Sequence, residues 1–158
     1  MFHVGDSIVY PMQGAGLIEA IEEKEILGQK HRYYMISMPF KRLQVMVPVD
    51  KVQKSRIRLV ADEPTLKHVL DIFQHGETDT NLSMKERYKI NTEKLRTGDF
   101  QEGAEVVRDL MRLNKKKPLN ASEKQMLDNA RKIFTSELGI IRGITESQAN
   151  ELLDKRVG

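Results

Sequence analysis

The side chains with the most chemical content in this sequence are cations. Between Met111 and Lys132 stand Arg112, Lys115, Lys116, Lys117, Lys124, Arg131 and Lys132, against only Glu123 and Asp128. Seven basic residues facing two acidic ones exceed the formal net charge of +3 that all 158 residues carry. A polyanion suits such a cluster, because each lysine or arginine brought onto a phosphate releases condensed counterions. A solvated helix face or a helix C-terminus would use the same residue types, so the charge run alone leaves both readings open. A second candidate is "SMKERYKINTEKLRTGD", Ser83 to Asp99. There Met84, Tyr88, Asn91 and Leu95 recur at helical spacing, with Lys85, Arg87, Lys89 and Lys94 on the flanks. Met84 falls in the first turn, just after a cap and a polar linker. An apolar tip beside cations in that position can press on a base step while the cations neutralise phosphates.

Catalytic and metal chemistry find no support. The glycines of "VGDSIVYPMQGAGLIEAIEE" lead into "LIEAIEE" rather than a helix N-terminus, and no G-x-x-x-x-G-K-[ST] occurs, so a phosphate cradle is not expected. Gly14 and Gly16 read instead as a bulge or a tight corner in a bent strand. His3, His31, His68 and His75 are scattered, the chain has no cysteine, and no metal site or cofactor is expected. No G-x-S-x-G elbow supports a serine nucleophile. Pairs such as Glu93 with Arg96 and Glu105 with Arg108 read as ordinary surface ion pairs. Binding, not catalysis, is the expected activity.

The elements that must position these residues change character near Val60. Before it, "DSIVYP", "GAGLIEAIEE", "RYYMISM" and "LQVMVPV" are rich in β-branched and aromatic residues and are split by turn residues. "KEILGQKHR" reads as a hairpin with Gly28 at positive φ. In "QVMVP" the alternation sets Val45 and Val47 on one face and Gln44 and Met46 on the other. After Val60 the period is helical. Asp62–Pro64 starts a first helix carrying Leu66, Val69, Leu70 and Phe73. Ser83 with Glu86, Asn120 with Glu123 and Thr145 with Gln148 read as capping boxes, and Gly98 as a left-handed stop. A short loop between antiparallel helices would gather Lys115–Lys117 with Lys124, Arg131 and Lys132. The expected fold is α+β: a small bent β-barrel over residues 1–60, then an all-helical bundle of about five helices over 61–158. No internal repeat, secretory leader or membrane-length apolar run is read, and a cytoplasmic location is expected.

"VGDSIVYPMQGAGLIEAIE", "VMVPVDK", "RYKINTEKLRTGD", "AEVVRDLMR" and "SEKQMLDNARKIFTSEL" together, in this order, resemble the CarD/CdnL family of bacterial transcription regulators. The resemblance implies a Tudor-like RNA polymerase interaction domain, then a helical DNA-contacting domain, and no enzymatic activity. It implies two partners, the RNA polymerase β subunit and promoter DNA at the upstream edge of the bubble, held with little sequence specificity. It implies a monomer with no membrane association, located at the nucleoid through the polymerase. Polymerase-facing residues would be Lys24, where the family often has arginine, and Gln44, Val45, Met46 and Val47, with Met46 where some relatives place an arginine. Arg87, Lys89 and Lys124 match DNA-contacting basic positions of relatives, and Lys85, Lys115, Lys116, Lys117 and Arg131 extend that set. Met84 stands where well-studied members carry a tryptophan wedge, and this chain has no tryptophan. Two other readings stay open: an RNA- or ribosome-associated factor, and a protein–protein adaptor that never touches DNA.

Overall fold

The computed structural model describes residues 1–157, with Phe40 through its backbone only. The four expected runs become β1 (Ser7–Tyr10), β2 (Gly14–Ile26), β3 (Gln29–Met38) and β4 (Leu43–Pro48), and a two-residue β5 (Arg58–Leu59) joins them. All neighbours are antiparallel, in the order β4-β3-β2-β1-β5. The sheet is open, which corrects the expected barrel: among the described residues β4 and β5 are its two edges. With only Ile8 and Val9 of β1 paired to it, β5 is too short to carry the ladder round to β4.

The β2–β3 hairpin closes on Leu27 and Gly28 at φ of 53° and 77°, the doubly left-handed pair that matches the twist of the strands. Of the two glycines read as a bulge or a tight corner, Gly14 takes φ of 107° where β2 begins, and Gly16 has a different role. Gly16 lies where a Cβ would come within 2.6 Å of the Met38 sulfur and 2.7 Å of the Ser37 carbonyl, so β2 and β3 approach closely because no side chain intervenes. The irregularity in pairing falls two residues later, between Ile18 and Ala20. The inner face of the sheet carries a core of Ile8, Ile18, Tyr34, Ile36 and Val47, closed by Val52 and Ile57 from the segment after β4.

Five helices follow: α1 (Glu63–His75), α2 (Met84–Thr97), α3 (Phe100–Lys116), α4 (Ala121–Arg142) and α5 (Glu146–Arg156). The cap residues Asp62, Ser83, Asp99, Asn120 and Thr145 each accept from the backbone N–H three positions on, which satisfies donors a helix start leaves orphaned. Only Thr145 with Gln148 completes a reciprocal box. The Glu86 side chain meets the Ser83 hydroxyl instead, and that of Glu123 turns away to Arg87. The bundle has its own core, in which Phe134 stacks on Phe100 at 4.9 Å and on Phe73 at 6.3 Å between ring centroids.

The pair Glu105–Arg108 does not form on the surface. Arg108 is buried, with Nε on Asp109 at 2.8 Å and Nη2 on the Glu77 carbonyl at 2.9 Å. Arg112 gives its N–H groups to the carbonyls of Gln74 and Gly76. Together they satisfy the acceptors at the end of α1, and this is a structural duty. Burial and the neighbouring Arg108 charge lower the pKa of Arg112, against the attraction of Asp109.

One buried carboxylate gathers several of the hydrogen bonds that join sheet and bundle. Glu137 of α4, 2% exposed, accepts from Arg58 Nη1 at 2.7 Å, Arg58 Nη2 at 2.8 Å and the Ala61 amide at 2.8 Å. Arg58 Nε also donates to the Gly98 carbonyl at 2.8 Å, and the Ala15 amide donates to Ser136 Oγ at 3.1 Å. Gly98 takes φ of 71°, and a Cβ there would lie 2.7 Å from Pro11 Cγ, so the cap of α2 also serves as a seat for the β1–β2 turn. Val9 and Ala15, both buried and directly paired, cover the outer sheet face at this junction.

Candidate protein and nucleic-acid interfaces

On the outer sheet face, register decides which side chains act together. Met46 pairs with Met35, which pairs with Ala20, so these three share a face. Two and four residues along β2, Glu22 and Lys24 point the same way, and Lys24 sits 3.4 Å from the Glu22 carboxylate. Gln44 is on this face too and donates to Glu19 at 3.2 Å. Val45 and Val47 turn to the opposite, core-lining face. Of the candidate residues on this module, Lys24, Gln44 and Met46 therefore offer side chains, and Val45 and Val47 offer only backbone. The bundle covers the face at Val9 and Ala15, and Leu17 and Met46 remain about two-fifths exposed. The outer edge of β4 has no pairing strand among the described residues.

On the bundle, the cations divide into two groups. Arg87 makes a fork with Glu123, Nε to Oε2 and Nη2 to Oε1, both at 2.8 Å. Glu123 is 1% exposed, and donating hydrogen bonds to its carboxylate raises the Arg87 pKa. Arg131 donates to the Asn150 side chain at 2.6 Å and to Asp154 at 2.8 Å, tying α4 to α5. It also lies eleven residues beyond Asn120, about 16 Å along the helix. These two arginines leave the free cationic set because their planar donor forks are committed to internal acceptors. Lys115 reaches the Val157 carbonyl at 3.4 Å. Lys85, Lys89, Lys116, Lys117 and Lys124 are exposed and have no acidic partner among the described residues.

Those lysines meet at one end of the bundle. The Asn120 amide, capping α4, donates to the Met84 sulfur in the first turn of α2, and Arg87–Glu123 repeats the contact one turn further. So α2 and α4 start side by side and run in the same direction. The loop from Lys117 to Asn120 delivers the end of α3 to the same place. Met84 is 53% exposed there, in the same turn as Lys85, with Lys124 in the first turn of α4. Neither sequence spacing nor charge count reveals that Arg87 is spoken for. An aligned acid such as Glu123, buried amid apolar Leu119, Met126 and Leu127, is the feature that signals it, since a carboxylate at a core position needs a partner.

Among the described residues no three histidine, aspartate or glutamate side chains converge as metal ligands, and no helix is long and apolar enough to cross a membrane.

The sheet is open with a free edge, the helical lobe gathers its cations at one end, and comparison with known proteins gives the chain a class. The family described as "CarD-like/TRCF RID domain" matches residues 2–61, and "CarD, C-terminal domain" matches residues 68–154. The chain belongs to the CarD-like family of transcription factors. It is 61% identical over 148 residues, 94% of this chain and 97% of the relative, to "Putative transcription factor YdeB" of Bacillus subtilis (strain 168).

Proposed function

We propose that this protein regulates transcription initiation by gripping RNA polymerase through its β module while the lysine-rich end of its bundle lies on promoter DNA at the upstream edge of the bubble. The observation that carries this reading is the gathering of exposed Met84 with Lys85, Lys117 and Lys124 at one end of the bundle. The match of residues 2–61 to the CarD-like/TRCF RID domain supports the β subunit of polymerase as the protein partner. An added partner strand along β4 would take its affinity from main-chain hydrogen bonds and its specificity from Gln44, Met46 and Lys24 on the outer face.

The lysines act on phosphates without reading sequence, and Met84 presses on the first base step beside them. Methionine fills space and is polarizable but lacks the broad flat face of an indole. Weak intrinsic DNA affinity suffices, because the polymerase tether raises the local concentration of the helical lobe. The protein alters promoter opening only by the difference between its affinities for the open and closed states.

Open-complex lifetime on a defined promoter, with and without the protein and at several salt concentrations, tests this. Met84→Ala is expected to weaken the effect and Met84→Trp to strengthen it. Lys89→Glu with Lys124→Glu is expected to abolish the promoter effect while polymerase capture survives. Promoter behaviour indifferent to all of these substitutions would favour an adaptor without DNA contact and refute the proposal.

A further inference from the structure

The parallel start of α2 and α4 leaves a groove between them that none of the contacts above uses. Tyr88 and Thr92 line it from α2, Gln125 and Asn129 from α4, and Met12 and Lys41 close its far end from the β module. Its volume is about 390 Å³, within the roughly 300–1,000 Å³ of clefts that hold small planar ligands. It begins one turn beyond Met84, so it continues inward from the lysine-rich end.

The lining has a definite chemistry. Tyr88 is 42% exposed and Met12 46% exposed, so an aromatic face and a thioether are both presented to the groove. Met12 is held there at φ of 68°, a backbone conformation a methionine rarely adopts. Gln125 and Asn129, four apart on one face of α4, have no hydrogen-bond partner among the described residues. Each amide offers both donor and acceptor. Lys41 donates to Gln13 Oε1 at 2.6 Å and keeps two further N–H donors at that far end. An aromatic platform, paired amides and a cation at the rim form the set that receives an unstacked base, by stacking, edge hydrogen bonds and phosphate contact respectively.

We propose that this groove receives one unpaired nucleobase of melted DNA, turned out of the stack next to the step on which Met84 presses. The inference rests on the DNA-contact reading above and adds a site to it. It assigns Tyr88 as the stacking surface, Gln125 and Asn129 as the groups that meet the base edge, and Lys41 as the contact to the adjoining phosphate. The β module thereby contributes to the nucleic-acid surface as well as to the protein one.

The absence of tryptophan makes the test direct. Of the four tyrosines, Tyr33 and Tyr34 are buried, Tyr10 is half-buried and Tyr88 is exposed, so quenching of intrinsic fluorescence reports on Tyr88. Binding of the full chain to a labelled duplex, to the same duplex with an unpaired terminal fork, and to an RNA–DNA version of that fork would be measured by anisotropy and by quenching. The fork is expected to bind about tenfold more tightly than the duplex and to quench, an increment of the size a single base–aromatic stack supplies. Gln125→Ala with Asn129→Ala, and separately Tyr88→Leu, are expected to remove that increment and leave duplex binding unchanged. All three residues are exposed, so folding is preserved and is checked by circular dichroism. Equal affinity for fork and duplex, with duplex binding still salt-dependent and lost in Lys124→Glu, would overturn the groove site alone. No salt-dependent binding to any DNA at protein concentrations up to about 1 mM, the effective concentration a short tether supplies, would overturn the DNA-contact reading beneath it. Preference for the RNA fork would overturn the assignment to melted DNA.

Discussion

Arg87 offers the sharpest separation of a structural duty from a nucleic-acid one. Its side chain is 17% exposed, and its fork closes on a carboxylate that is 1% exposed, with both hydrogen bonds at 2.8 Å. Arg87→Ala leaves Glu123 charged, buried and unpartnered. Breaking a buried pair from one side costs about 3–5 kcal/mol, a large share of the roughly 5–15 kcal/mol that holds an ordinary domain together. At this chain length the loss corresponds to a fall in melting temperature of about 10 °C. The effect should concentrate on α2, where Asn91 is the single buried residue among those described. That helix depends on Arg87–Glu123 and on Lys94–Glu105 at 3.4 Å more than on apolar packing. Replacing both partners, Arg87→Met with Glu123→Leu, removes the stranded charge and restores most of the stability. Thermal and urea melts of the parent, Arg87→Met, Glu123→Leu and the double variant give the coupling energy as a double-mutant cycle, and amide exchange over α2 locates it. Duplex affinity of the refolded double variant then decides the second question. An arginine that only ties helices together leaves DNA binding at the parental level. A cycle with coupling near zero, or Arg87→Ala within about 1 kcal/mol of the parent, the range of an exposed pair, would refute the reasoning.

Three further outcomes are expected. Arg58→Ala strands the Glu137 carboxylate between the lobes and should cost about 3 kcal/mol, visible as a lower melting point and as a larger radius of gyration by small-angle scattering. An unchanged radius with lost stability would mean that other contacts suffice to hold the lobes. Gly98→Ala should cost at least about 1–2 kcal/mol from its left-handed backbone alone, with more from the contact with Pro11; a neutral result in urea melts would show that the β1–β2 turn yields freely. Asp62 caps α1 through the Thr65 amide, and hydrogen bonding from the Thr65 side chain first, then from that amide, lowers its pKa below the ordinary 3.8. Its contribution is therefore complete above pH 3.8 and fades as pH falls through the lower, folded-state value. Melts of the parent and Asp62→Asn should differ by a constant amount down to that point and converge below it, and a gap that stays constant into stronger acid would refute the assignment.

Local patterns carried much of this architecture, because they encode local physics. Alternation in "QVMVP" placed Val47 inward and Met46 outward, the cap residues Asp62, Ser83 and Thr145 marked helix starts, and Gly98 marked a stop, each through interactions within a few residues. Sequence order and similarity were enough for the family. The rest depended on partners far apart along the chain. Whether the sheet closed could not be read from strand composition, since closure depends on how far β5 extends beside β1. Gly16 signalled a special position, but only the approach of Met38 showed which kind. Glu105–Arg108 and Asn120–Glu123 obeyed helical spacing, yet Arg108 went to α1 and Glu123 to Arg87, because a buried charge takes the best partner in space rather than the nearest in sequence.

By itself the sequence determined an α+β chain with a β-to-helical switch near residue 60, a lysine-rich surplus and no cysteine or tryptophan. Tertiary structure alone decided which cations remained free and where they stood. Charge is a property of residue type, but availability depends on what packs against it. Folding assigned Arg87, Arg108, Arg112, Arg131 and Arg58 to internal acceptors because a guanidinium fork satisfies several buried oxygens at once, and it left the more strongly hydrated lysines beside Met84 facing solvent.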